Sequence, residues 1–276
     1  MTDREGRRPP PGSWRRRPGL APVLVLSAAL SMAVAACSPA GQDAHRPAGT
    51  GPATPQSPAA PPSAPLASAA APPALTRAQA SAALITEADL GETWGPTLGA
   101  ATWRDDLLKA TAADPDCRRL LDVLYTEELF GASPAPRATV ALDDRAGEAQ
   151  LHYRITSHRA ADIDRTLAWL ATLPETCGHF TAEAARGAVR DVRVTDVTLP
   201  EAGDARQGLR VTVTGTTADA GPAVLTVDLV AVRVGDDAIG LTNGSLGEAA
   251  EDATRTAVEV GAGRLTEIRR QGRAQV

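Results

Sequence analysis

The chain is poor in several residues at once, and each shortage excludes something. Aromatic residues make up 3% of the 276, too few for the stacked platform of a carbohydrate-binding surface. Lysine occurs once, at Lys109, and the formal net charge is −5, which argues against a nucleic-acid partner. His-Glu-x-x-His, the Gly-x-Ser-x-Gly elbow, a phosphate-binding glycine loop and clustered cysteines are all missing. The four histidines, His45, His152, His158 and His179, are scattered without ligand spacing. No metal or other cofactor is therefore expected, and no enzyme of a familiar catalytic type. No repeat of 20–50 residues is visible either.

What is present begins at the front. Arg4, Arg7, Arg8, Arg15, Arg16 and Arg17 face only Asp3 and Glu5, and Leu20 to Ala36 then runs apolar or small without a charge. This is the basic and apolar pattern of a secretory signal. The run is short and rich in alanine and serine for a membrane-spanning helix. Its end, Val34-Ala35-Ala36-Cys37, resembles the lipobox of bacterial lipoproteins, in which small residues let a peptidase cut just before a cysteine whose thiol carries a diacylglyceryl group. The resemblance implies lipidation at Cys37 and a membrane anchor on the extracellular side, durable where two or more chains are attached. The arginine cluster leaves open whether export follows the general or the twin-arginine route. Cleavage before Cys37 would leave a formal charge of about −9, unsuited to anionic headgroups.

The divisions follow composition: a lipoprotein signal over 1–36, the anchor cysteine and an Ala/Pro/Ser-rich spacer over 37–75, and one large folded domain over 76–276. The spacer has too little bulky apolar surface for a core, and its prolines block helix and sheet. In the domain, Thr76 to Ile85 suits a short helix, and Thr86-Glu87-Ala88-Asp89 resembles a capping box. Asp114 to Leu124 reads as a helix capped by Asp114, with Cys117, Leu120, Leu121 and Leu124 on one face. Arg137 to Leu142 and Glu148 to Thr156 make a hairpin. Leu151, Tyr153 and Ile155 alternate there with His152 and Arg154, a half-buried pattern that puts His152 on the solvated side. A helix over Arg159 to Leu173 should stop at Pro174, and a long helix over Glu248 to Arg270 should close the chain. Between them, five strands joined by short links require antiparallel pairing. Gly244 to Gly247 reads as the turn before the last helix. The acidic pairs Asp105-Asp106, Asp143-Asp144 and Asp236-Asp237 fall at turns and element ends, where solvated or capping roles are expected rather than calcium ligation.

Beyond Cys37 the cysteines are Cys117 and Cys177. In an oxidising compartment the pair reads as a disulfide. The rival reading makes Cys177, close to His179, a thiol nucleophile.

Leu84-Ile85-Thr86-Glu87-Ala88-Asp89-Leu90 followed by Trp94, then Cys117 in a helix, Cys177 after the next helix, and Val230 to Gly235 before a last strand and helix, resemble the PknH-like extracellular sensor domain of actinobacterial receptor kinases and lipoproteins. The composition, rich in arginine, alanine and proline, agrees with such a genome. The resemblance implies an α+β fold, an antiparallel β-sheet flanked by helices, with a cleft for a ligand. Some members have a second disulfide; here one can form.

The expected function is thus a non-enzymatic, lipid-anchored extracytoplasmic sensor domain that binds a small apolar or amphipathic ligand or an envelope protein. Trp94, Trp103, Tyr125 and Phe130, in the loop-rich first part, are the candidate ligand residues, against a plain packing role. Two alternatives stand beside it. One is an envelope hydrolase or transferase with a nonstandard site around His152, Arg154, His158 and Cys177. The other is a purely structural interaction protein.

Overall fold

A computed structural model describes residues 74–131, 137–146, 148–217 and 221–274. The signal, the lipobox with Cys37 and the spacer to residue 73 lie outside the described residues.

The helices are α1 (Arg77–Ala82), α2 (Glu87–Leu90), α3 (Pro115–Thr126), α4 (Ala160–Thr176) and α5 (Glu251–Ala274), with a π-helical turn at Arg104–Leu108. The strands are β1 (Trp94–Pro96), β2 (Ala110–Ala112), β3 (Ala138–Asp144), β4 (Ala149–Ser157), β5 (His179–Ala184), β6 (Val189–Asp196), β7 (Ala205–Thr216), β8 (Pro222–Val234) and β9 (Asp237–Leu246). They form one antiparallel sheet in the order β1-β3-β4-β9-β8-β7-β6-β5-β2. Three-residue strands at both edges leave little unpaired backbone on offer to another chain.

Helices cover both faces of the sheet. The π-helical turn, α3 and α4 bury one side, where Leu120, Leu124, Ile163, Leu170 and Leu173 meet Val211, Val213, Val227 and Leu229. On the other side α1 and α5 meet β3, β4, β8 and β9, with Ile85, Ala257, Val258 and Leu265 against Leu151, Tyr153, Ile155 and Ile239. Strand β8 is buried almost throughout, which is why Leu225 to Val232 reads as a nearly continuous apolar run.

The cappings are those the local sequence dictates. Asp114 accepts from the backbone N–H of Asp116 (2.9 Å) and Cys117 (3.1 Å), and Pro115 fills the first helical position, where its missing N–H costs nothing. Thr86 N–H donates to Asp89 at 2.7 Å in the expected capping box, and Arg264 holds Asp89 with two bonds of 2.7 Å, tying α2 to α5. Cys117 and Cys177 form a disulfide with Cα atoms 5.5 Å apart, both buried, joining α3 to the end of α4.

Several expectations need correction. Helix α4 continues through Pro174 to Thr176: a proline in the last turn removes a single bond, and Cys177 N–H still closes on Leu173 O at 2.7 Å. Gly244 to Leu246 belong to β9, and the turn starts at Gly247. Leu75, placed at the end of the spacer, is buried in the core. Asp236 caps α4 by accepting from Ala160 N–H (3.0 Å), but Asp237 is buried, bound to Ser157 Oγ (2.5 Å) and Arg269 (3.2 Å). Burial pushes its carboxyl above the ordinary value, against those partners. Finally, β4 is not solvated on one side. The face carrying Gln150, His152 and Arg154 lies under a second helical layer that alternation within one strand cannot reveal.

Candidate functional site: a cleft beneath the end of helix α3

Two cross-strand rows shape the sheet under the C-terminus of α3. One runs Thr139, Arg154, Gly240, Ala231; the next runs Ala141, His152, Thr242, Leu229. On either side of His152 and Arg154 the neighbours are small, so the floor is sunken. Helix α3 ends at Thr126, and Val123, Glu127 and Leu129 overhang it. The result is a partly enclosed cavity of about 160 Å³.

Its polar wall is built around Glu127. This residue occupies the position after the last helical turn with φ 60° and ψ 21°, a left-handed conformation where glycine or asparagine is usual. Its side chain explains the choice. The carboxylate turns inward to pair with Arg104 from the π-helical turn and with His152 Nδ1 at 2.9 Å, and Arg104 also donates to Tyr125 O. Burial raises the Glu127 carboxyl, but the hydrogen bond and charge of His152 and the charge of Arg104 outweigh it and hold the group below its ordinary value.

The ring of His152 is fixed at its far end too. Its Nε2 lies 3.0 Å from Gln150 Oε1. That amide has one orientation: its Nε2 donates to Gly99 O and Asp143 Oδ1, both at 2.8 Å, while Oε1 accepts from Ala101 N–H at 3.1 Å. The two nitrogens of His152 therefore lie against the Glu127 carboxylate on one side and the Gln150 amide oxygen on the other. Arg154, half-buried at the mouth, has its nearest carboxylate in Glu128 at 3.9 Å, beyond hydrogen-bond distance.

The aromatic candidates are not brought together. Trp94 packs on the α5 side of the sheet, and the other three lie on the α3 side. Trp103 sits over Gly244, where an added Cβ would come within 2.5 Å of its ring; Tyr125 donates to Asp105 Oδ1 at 2.8 Å; and Phe130 lies against Gly240 and the ring of His158, centroids 5.7 Å apart. Trp103 borders a small recess that shares Glu127, His152 and Thr242 with the cleft.

Of the other proposed group, His152 and Arg154 line the cleft. His158 is half-buried beside Thr156, 3.1 Å from its hydroxyl, and burial lowers its pKa. The sulfur of Cys177 is bonded to Cys117 and offers no nucleophile. The same bond removes Asp114, Cys117 and Cys177 as a metal site, although their ligand atoms lie close together. Two wider recesses of about 850 and 630 Å³ flank the start of α5 on the opposite face and share Arg210 and Glu251. Both are open, and their central cation is already engaged: Arg210 holds buried Asp228 with bonds of 2.8 and 3.2 Å and pairs with Glu251.

No protein-family profile matches the chain, and no curated protein does. Among solved structures it is similar to the extracellular domain of PknH from Mycobacterium tuberculosis. Identity is 12%, the match covers 73% of this chain and 98% of that one, and the TM-score is 0.45. No residue role follows from a likeness of that size.

Sequence reading missed Arg104, Glu127 and Gln150. The available signal was an acidic residue, not glycine, where the apolar stripe of α3 ends. Glu127→Gln is expected to cost about 1–3 kcal/mol at neutral pH, because Arg104 loses its buried counter-charge. A carboxyl lowered by folding contributes stability above its unfolded pKa and loses it as the pH falls through the lower folded value. Urea melts against pH should therefore show the variant and the parent converging in acid, below the ordinary carboxylate range.

Proposed function

We propose that this is a lipid-anchored, extracytoplasmic binding domain of sensor type, without catalytic activity, which takes a small amphipathic ligand in the cleft under α3. The observation that carries the reading is the cleft's construction. Small floor residues leave a hollow beside a cluster, Arg104–Glu127–His152–Gln150, held by bonds at every member. A polar network locked in place beside an apolar hollow is preorganised for recognition. The disulfide fits an oxidising compartment outside the cytoplasm, and the lipobox-like Val34 to Cys37 supplies the anchor. Among the described residues no helix is long and apolar enough to cross a membrane.

Placement is tested by Cys37→Ser. The variant should leave the membrane fraction, and one that sediments with membranes as the parent does removes the anchor from the proposal. Ligand binding is tested by filling the hollow with Ala141→Leu, which should abolish occupancy while leaving the fold intact.

A further inference from the structure

We propose that the cleft's ligand is a compact monocarboxylate, its acid group on Arg154 and its apolar body in the hollow; this rests on the cleft being a ligand site.

The charges decide the class. Among the described residues, and apart from Tyr153, whose hydroxyl points to the α5 side of the sheet, four ionisable groups besides Arg154 stand by the cavity, and three of them are matched among themselves: Glu127 takes both Arg104 and His152. The fourth, Glu128, is half-exposed and stands 3.9 Å from Arg154. Among the described residues no hydrogen bond reaches the Arg154 guanidinium, whose side chain is only 24% exposed. A planar fork of N–H donors held at a mouth, with its nearest carboxylate too far to bond, matches a ligand carboxylate in shape and charge. Thr139 and Thr242 add hydroxyls beside it in the same two rows. Arg104 offsets the charge of Glu127, so a second carboxylate can approach.

Volume decides the size. An engineered apolar cavity of about 150 Å³ takes benzene. The hollow here, about 160 Å³ and walled by Val123, Leu129 and Leu229, therefore accepts a ring or branched chain of roughly six carbons. Long acyl chains do not fit.

The test is calorimetric titration of the full-length protein with benzoate, with benzamide as the uncharged isostere and toluene as the apolar body alone. Benzoate should bind at least tenfold more tightly than benzamide, and added salt should weaken it. Arg154→Met should lower benzoate affinity at least tenfold with an unchanged melting temperature, and Arg154→Lys should recover part of it. Ala141→Leu should abolish binding of all three probes. Equal binding of benzoate and benzamide, or an Arg154→Met variant that binds benzoate like the parent, overturns the carboxylate assignment. In that case toluene binding that Ala141→Leu removes leaves the cleft standing as a ligand site. If none of the three probes binds, both readings fall.

Discussion

Gly261→Ala is expected to destabilise the protein by about 3 kcal/mol or more, although helix propensity alone favours alanine by about 1 kcal/mol. Gly261 is buried in the middle of α5, over the ring of Tyr153 on β4. An added Cβ would overlap Tyr153 Oη and stand 2.6 Å from Cζ and 2.9 Å from Cε2. Neither side can give way easily: Tyr153 is 1% exposed on a strand paired on both sides, and α5 is pinned by Arg264 to Asp89 and by Thr254 to buried Asp228 at 3.0 Å. The close approach also leaves the buried Tyr153 hydroxyl without a hydrogen-bond partner among the described residues. Burial accordingly pushes its pKa up. Tyr153→Phe should therefore be neutral or stabilising by up to about 1 kcal/mol, and it should recover part of the loss in Gly261→Ala. Urea denaturation of the two single variants and the double decides this. A Gly261→Ala protein as stable as the parent would mean that α5 can lift from the sheet.

Removing the disulfide should have an effect of similar size. Cys117 and Cys177 are 60 residues apart, and the chain-entropy model gives about 4 kcal/mol for a loop of that length. Paired replacement by alanine should then lower the melting temperature by about 8–16 °C for a domain of this size. Both cysteines are buried within the same apolar cluster as Leu120, Leu173 and Val194, so lost packing adds to the entropic effect. The bond also fixes α3, whose end forms the roof of the cleft, so ligand affinity should fall along with stability. A melting temperature within about 2 °C of the parent would show that the two helices dock without the link.

Which parts of this were legible in the sequence follows from what is local. Asp114-Pro115 announces the start of α3, Thr86 with Asp89 the start of α2, and the alternation from Ala149 to Ile155 a strand, because caps and periods act within a few residues. The disulfide was expected from two cysteines behind a stretch that reads as an export signal. The cleft was not legible in the same way. Its floor joins Ala141, His152, Thr242 and Leu229 from four strands, and its polar wall brings Arg104, Glu127 and Gln150 together from three separate segments. Period-two reading put His152 and Arg154 in solvent because nothing within β4 tells of the layer above. The aromatic residues stand out by type alone, yet the sheet separates Trp94 from the others.

The central claim is that the hollow beside His152 and Arg154 holds a small molecule where the protein works. Mass spectrometry of the protein, kept native and purified from its host cells, measures this directly, with the Ala141→Leu variant taken through the same steps. The parent should carry the added mass of a small organic acid, released on denaturation and missing from the variant. A parent that flies at its bare mass, or a variant that carries the same adduct, would contradict it.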